Sequence, residues 1–277
     1  MAVRMVVLDI DGTLLISKGT MTESTYRTLR DLTGRGIFLC LATARSGRIV
    51  FKQGEVPWDH GFLMTRGIYY NGGTVFDKHA QFYEHLPLPG DVVDAIVSFL
   101  EIRALSLQIA LQHDDVYHSF RHEMSMEELK PWGFAKEELL PFETARKRPA
   151  TKIMIYGGTD FLRLQQELVE LYMDLTKAFG ESANILLADS RRAIYVMSRH
   201  ANKGLAVRRL AELNQIPTAE IAVFGDDSPD IDMFGQFGYS IAMGNAIDKL
   251  KALSSYVTLS NDQDGVVYAL RDHLGIR

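Results

Sequence analysis

The sequence predicts an α/β fold in which a Rossmann-like parallel sheet core carries an inserted α+β cap domain. Three observations lead there. Short apolar runs alternate with helical patterns over roughly the first 80 residues. The pattern then changes to hairpin-like pairs and long helices after about residue 83. From Lys203 the strand–helix alternation returns. The expected domains are therefore 1–83 and 191–277 as one core and 84–190 as the insert.

Taken in order, residues 3–8 form a Val-rich run that reads as a buried strand. Thr22 can cap a helix reaching about Gly34, with Tyr26 and Leu29 on one face. A second strand follows at 37–42, and Ser46 can cap a further helix. Phe62-Leu63-Met64 reads as a third strand, and Asn71-Gly72 as a tight turn between short strands. In the insert, 91–103 reads as an amphipathic helix. Leu105 to Ala110 and Val116 to Phe120 read as a hairpin around His113-Asp114-Asp115. Ile153 to Tyr156 is a further strand, and 160–179 a helix striped by Leu164, Leu168, Leu171 and Leu175. Ile185 to Leu187 and Ile194 to Met197 close the insert as a strand pair. The second half of the core reads as helix 203–214, strands 221–224 and 239–242, helix 245–253 and strand 256–258.

Bulk properties narrow the function. The 277-residue chain carries a formal net charge of -5 with acids and bases interspersed, which argues against nucleic-acid or membrane attraction. A single cysteine, Cys40, inside an apolar run, excludes an internal disulfide framework and reads as a core residue. The sequence holds no run of about 18 apolar residues, and its first apolar stretch ends at Asp9, too early for a signal peptide. A cytoplasmic location is expected. There is no P-loop and no His-Glu-x-x-His motif.

Four polar motifs sit at the ends of strand-like runs, where open α/β sheets bind ligands. The first is Asp9-Ile10-Asp11-Gly12-Thr13. Alternation along a strand end points Asp9 and Asp11 to one side and Ile10 inward. Two such carboxylates call for a cation between them or a proton on one. Thr43 follows the second strand, where its hydroxyl and the amides of Thr43 and Ala44 can meet a phosphate. Lys203 stands at a helix N-terminus, where the dipole disfavours a cation, so an anionic partner is expected. Asp226, Asp227 and Asp230 form an acidic cluster after the 221–224 strand, suited to Mg²⁺, which takes a few carboxylates and keeps several waters.

With these motifs in place, the chain resembles the haloacid dehalogenase superfamily, in its Cof-like branch of phosphatases. Asn71-Gly72-Gly73, Ala242-Met243-Gly244-Asn245-Ala246, Asn261 and Asp264-Gly265-Val266 add to the likeness. The resemblance implies hydrolysis of small phosphate monoesters of the sugar-phosphate type. It makes Asp9 the nucleophile and Asp11 the acid/base, with Thr43, Ala44 and Lys203 on the phosphate. It places Mg²⁺ on Asp9, Asp226 and the Asp11 backbone carbonyl, supported by Asp227 and Asp230. Arg45, Asn71, His118 and Arg121 are the expected substrate contacts, and the insert is expected to act as a lid that selects substrates. The expected partner is a small phosphorylated metabolite, with no nucleic acid and no membrane.

Two positions depart from the family pattern. Pro229 stands where the family has a phosphate-binding Asn, and Ala44 replaces the Gly of Thr-Gly-Arg while keeping the amide. Pro229 keeps open a phosphate-ester-binding protein with little turnover, and the shared core keeps open a phosphomutase. His113, His118 and His122 read as exposed cap residues, since their spacings straddle the hairpin and its exit. Arg146-Lys147-Arg148 reads as a solvated loop.

Overall fold

The computed structural model describes residues 3–51, 54–103, 106–133, 135–157, 161–188 and 192–276. Among these the strands are β1 (Met5–Leu8), β2 (Phe38–Ala42), β3 (Arg66–Tyr69), β4 (Thr74–Asp77), β5 (Phe82–His85), β6 (Gln108–His113), β7 (Tyr117–Phe120), β8 (Lys152–Tyr156), β9 (Ala183–Ala188), β10 (Ala193–Ser198), β11 (Ile221–Gly225), β12 (Tyr239–Ala242) and β13 (Tyr256–Val257). The α-helices are α1 (Glu23–Gly34), α2 (Gly90–Arg103), α3 (Met126–Leu129), α4 (Phe142–Ala145), α5 (Phe161–Phe179), α6 (Lys203–Leu213), α7 (Asp248–Leu253) and α8 (Gly265–Tyr268). The chain divides into two compact units. One comprises Met1–Arg45, Val50–Glu84 and Asn202–Arg277; the other comprises Ser46–Ile49 and His85–Ala201.

The first unit is built on a sheet of order β13-β12-β11-β1-β2-β3-β4-β5, parallel from β13 to β3 and antiparallel between β3 and β4. Every residue of β1, β2 and β11 is buried, as expected for parallel strands covered on both faces. The register pairs Leu8 with both Phe224 and Leu41. The residues that follow, Asp9, Gly225-Asp226 and Thr43, therefore emerge together at the carboxyl edge of the sheet. Thr22 caps α1 by accepting from the Thr25 amide, and Tyr26, Leu29 and Leu32 bury its inner face. Asn202 caps α6 in the same way through the Leu205 amide, which fixes Lys203 as its first residue.

The second unit is a five-stranded antiparallel sheet of order β7-β6-β8-β10-β9. Its apolar face, with Ile109, Leu111, Ile153, Ile155, Ile194 and Val196, packs on Val93, Ile96 and Leu100 of α2 and Leu168, Leu171 and Leu175 of α5. The expected β6–β7 hairpin is present, turning through Asp114 and Asp115 at positive φ. Leu105, residue 160, the Leu164 side chain and the expected boundary at 190/191 lie outside the described residues.

Three expectations are corrected. Phe62-Leu63-Met64 is not a strand: Gly61–Thr65 is a 3-10 turn and the strand begins at Arg66. The apolar triplet is too short to reveal a period, so it reads alike for either element. Ser46 starts no α-helix, only the 3-10 turn Gly47–Ile49. Arg146 is not solvated. It is buried and donates to Asp94 (2.5 Å), Glu101 (2.8 Å) and the Ser98 hydroxyl (2.6 Å), tying α4 to α2. A long side chain can bury its stem and guanidinium where acids supply acceptors, which a run of basic residues in a sequence does not disclose.

Candidate active site

At the carboxyl edge of the first sheet, Asp9, Asp226 and Asp230 bring one carboxylate oxygen each within 4.8 Å of one another. Lys203 lies among them, 2% exposed. Its Nζ donates to Asp9 Oδ1 and to Asp230 Oδ1, both at 2.6 Å. Two of the three acids thus share one ammonium, and Asp226 is held instead by the Thr13 hydroxyl. Burial pushes the Asp9 carboxyl up to about 8 despite the neighbouring Lys203 charge, with Asp230 and Asp11 adding to the rise. Burial likewise pushes Asp226 up to about 9, helped by Asp9 and Asp230 and opposed by the Thr13 hydroxyl. Burial works against the Lys203 charge, but Asp230 and Asp9 outweigh it and hold the lysine protonated. Such a set of hard oxygen donors, whose ionisation calls for a further positive charge, suits a divalent cation of the Mg²⁺ kind.

The local backbone is built around this cluster. Asp230 Oδ2 accepts from the amides of Asp226 (2.9 Å) and Asp227 (3.2 Å), closing the turn after β11. A Cβ at Gly225 would sit 2.6 Å from Asp230 Cβ, so only glycine lets Asp230 fold back over the strand end. Asp227 points elsewhere, capping the 3-10 turn Ser228–Met233 through the Ser228 amide (2.7 Å). Pro229 is buried near the start of that turn, where a missing N–H costs nothing. Thr13 donates its hydroxyl to Asp226 Oδ1 at 2.9 Å. Behind the loop, Asn245 donates to the Gly12 carbonyl (2.8 Å) and Asn261 to the Leu15 carbonyl (2.8 Å). Asp264 accepts from the Thr22 hydroxyl (2.5 Å).

The remaining candidates fall into three places. Thr43 is buried beside the loop, and its hydroxyl accepts from the Arg45 amide at 3.0 Å. Its own amide donates to the Ile68 carbonyl (2.8 Å), so it does not face the site as expected. Asp11 lies outside the three-acid cluster, with 62% of its side chain exposed, and is held by Arg45. Asn71 is 1% exposed at a positive φ of 53°, and its amide donates to the Thr43 carbonyl (2.9 Å). Its carboxamide nitrogen and oxygen have no hydrogen-bond partner among the described residues. His118 and Arg121 belong to the second unit, on β7 and just after it. His118 is 4% exposed, not the exposed cap residue expected, and burial lowers it to about 4. His113 is buried as well, its Nδ1 against the Pro149 carbonyl at 2.6 Å.

Glu55 was not anticipated. It is buried against Arg45, but it comes from an irregular stretch with neither period nor motif. Thr13 was legible only as part of the first motif, without a role.

Comparison with known proteins gives a consistent picture. A family model described as haloacid dehalogenase-like hydrolase matches residues 6–270. A 5-amino-6-(5-phospho-D-ribitylamino)uracil phosphatase of Bacillus subtilis (strain 168) is 24% identical over 288 residues, covering 98% of each chain. An HMP-PP phosphatase of Yersinia enterocolitica is 25% identical over 250 residues, covering 90% of this chain and 86% of its own. The crystal structure of a haloacid dehalogenase-like hydrolase from Bacteroides thetaiotaomicron superposes with a TM-score of 0.78 at 25% identity, covering 97% of this chain and 98% of its own.

Proposed function

Because the chain belongs to the haloacid dehalogenase-like hydrolases, we propose that its buried acid cluster hydrolyses small phosphate monoesters through a phosphoryl group carried on Asp9. The observation that supports this most is the Lys203 ammonium, fully enclosed and shared between Asp9 and Asp230. A buried lysine beside a strand-end aspartate neutralises the charge that gathers when a carboxylate meets a phosphate dianion.

In the proposed reaction, an Asp9 carboxylate oxygen attacks phosphorus opposite the bridging ester oxygen. The phosphorus–oxygen bond to the alcohol breaks as Asp11 passes a proton to that oxygen. Asp11, now a carboxylate, takes a proton from the water that attacks the aspartyl-phosphate. Asp9 is released with inorganic phosphate. Lys203 stabilises the phosphoryl oxygens, and the Thr43 hydroxyl and the Ala44 amide orient them. Asp9, Asp226 and Asp230 would hold Mg²⁺, with the Asp11 carbonyl assigned to the same ion by resemblance. Bound there, the ion supplies Lewis-acid neutralisation of phosphoryl oxygens. The substrate class is a small phosphorylated metabolite, as the names of the two relatives above indicate for those proteins.

The reading is tested by a phosphatase screen over a panel of phosphorylated metabolites and p-nitrophenyl phosphate, with wild type and Asp9→Asn. Wild type should release inorganic phosphate, and Asp9→Asn should lose at least roughly a thousandfold in kcat, as other covalent-catalysis nucleophiles do. Retention of a tenth of the wild-type rate would remove Asp9 from the mechanism.

A further inference from the structure

The Arg45 guanidinium is enclosed by acceptors on two sides. Nε donates to Asp11 Oδ2 at 2.8 Å and Nη2 to Asp11 Oδ1 at 2.5 Å, the two-pronged geometry that matches a carboxylate. On its other side Nη1 donates to Glu55 Oε2 (2.5 Å) and to the Val50 carbonyl (2.8 Å), and Nη2 reaches Glu55 Oε1 at 3.1 Å. The guanidinium side chain is 12% exposed and Glu55 11%, whereas Asp11 is 62% exposed. The enclosed partner and the solvent-facing one are therefore distinguishable. Arg45 is fixed from behind by Glu55 and Val50, and Asp11 is a solvent-facing side chain that Arg45 holds by both oxygens.

We propose that Arg45 is the positioning residue for Asp11, with Glu55 as the buried anion that keeps Arg45 aimed at it. The inference rests on the proton-transfer role given to Asp11 above. An exposed aspartate has several rotamers, and each unproductive one subtracts from proton transfer at the leaving oxygen. Two N–H groups in a fixed plane select one of them. When Asp11 carries the proton it can accept through only one oxygen, but Glu55 and Val50 still hold Arg45. The fork is thus in place to receive the carboxylate again once the proton has gone to the alcohol. A lysine could supply the charge but not the paired geometry.

The consequence is specific to the leaving group. An alkyl phosphate ester needs its oxygen protonated as the bond breaks, whereas p-nitrophenyl phosphate releases a stabilised phenolate with little need of acid. The experiment uses full-length wild type, Arg45→Met, Arg45→Lys, Glu55→Gln and Asp11→Asn, and the first three substitutions are also each combined with Asp11→Asn. The substrates are p-nitrophenyl phosphate and one sugar phosphate that the wild type turns over. If Arg45 acts through Asp11, Arg45→Met lowers the alkyl-to-aryl ratio of kcat by roughly tenfold or more, within the usual range of acid–base contributions. KM for both substrates changes far less. Glu55→Gln gives a smaller loss of the same sign, and Arg45→Lys does not restore the ratio. In the Asp11→Asn background Arg45→Met adds nothing, since the two act as one unit. Equal losses on both substrates, a rise in KM that persists without Asp11, or additive effects in the double variant would overturn the inference and make Arg45 a substrate contact or a structural residue. If Arg45→Met does not fold, Glu55→Gln carries the same ratio test. An Asp11→Asn protein with an unchanged alkyl-to-aryl ratio instead removes Asp11 from acid catalysis, and the inference falls with that reading.

Discussion

Gly12 is packed against Asp226 so closely that a Cβ on it would collide with the Asp226 carboxylate, and its φ is +79°. The loop after β1 can therefore approach the loop after β11 only without a side chain at this position. Gly12→Ala faces two costs. The left-handed backbone costs an L-residue about 1–2 kcal/mol, and the methyl group must push Asp226 out of the acid cluster. The expected outcome is a folded protein whose Mg²⁺ requirement rises sharply and whose melting temperature falls by several degrees. Calorimetry and a Mg²⁺ titration of phosphate release check it, and an unchanged Mg²⁺ dependence would show that the loop has room to yield.

Lys203 offers the next test. It is the ammonium that Asp9 and Asp230 share, and breaking a buried ion pair from one side costs about 3–5 kcal/mol. Lys203→Met should lose stability of that order in urea denaturation and lose turnover. It should also regain part of the lost stability as Mg²⁺ is added, because a cation bound only by the folded state stabilises by mass action. Lys203→Arg should not restore activity, since the planar guanidinium is larger than the enclosed ammonium. Stability that ignores Mg²⁺ would argue against a metal among these three acids.

Chelation provides a third prediction. Hydrolysis should vanish in excess chelator and return with Mg²⁺, because burial holds the Asp9 and Asp226 carboxyls well above their ordinary range without a cation, and Asp9 must be an anion to attack phosphorus. Asp226→Ala should raise the Mg²⁺ concentration for half-maximal activity by at least about tenfold, the lower end of the effect of losing groups around a metal. Full activity in chelator would refute the metal-dependent reading.

The candidate site was legible because its residues are displayed at strand ends. A run such as Met5–Leu8 followed by Asp9 marks both a parallel strand and the polar edge beyond it, and Lys203 after Asn202 marks a helix start. What was not legible depends on contacts between distant segments. Nothing near Glu55 signals that it will meet Arg45, and nothing in Arg146-Lys147-Arg148 signals that the first arginine will be buried by α2. Asp11 was expected to face the same way as Asp9. Its carboxylate bears on Asp9, and what the motif does not show is the paired hold by Arg45, a contact between distant segments. His118 read as exposed because its spacings from His113 and His122 straddle the hairpin and its exit, yet its register beside Gln112, with Lys152 on the far side of Gln112, buries it in the sheet.

That burial gives a pH-dependent stability. His118 is lowered from 6.5 to about 4, first by burial and then by the nearby charges of Lys152, His113 and Arg48. Its folded pKa lies below its unfolded one, so the unfolded chain binds the extra proton. The native state therefore keeps its full stability above about pH 6.5 and loses it as the pH falls towards 4. The shift corresponds to on the order of 3 kcal/mol at the acid end. His118→Gln removes this term, so its stability relative to wild type should improve steadily between pH 7 and pH 4.5. His85 and His113 are lowered as well and leave a residual slope in the variant. Urea unfolding followed by Trp132 fluorescence in a Trp58→Phe background reports on the second unit, to which both His118 and Trp132 belong. Parallel pH curves for the two proteins would mean that His118 titrates alike folded and unfolded, and that the sheet face around it is open to water.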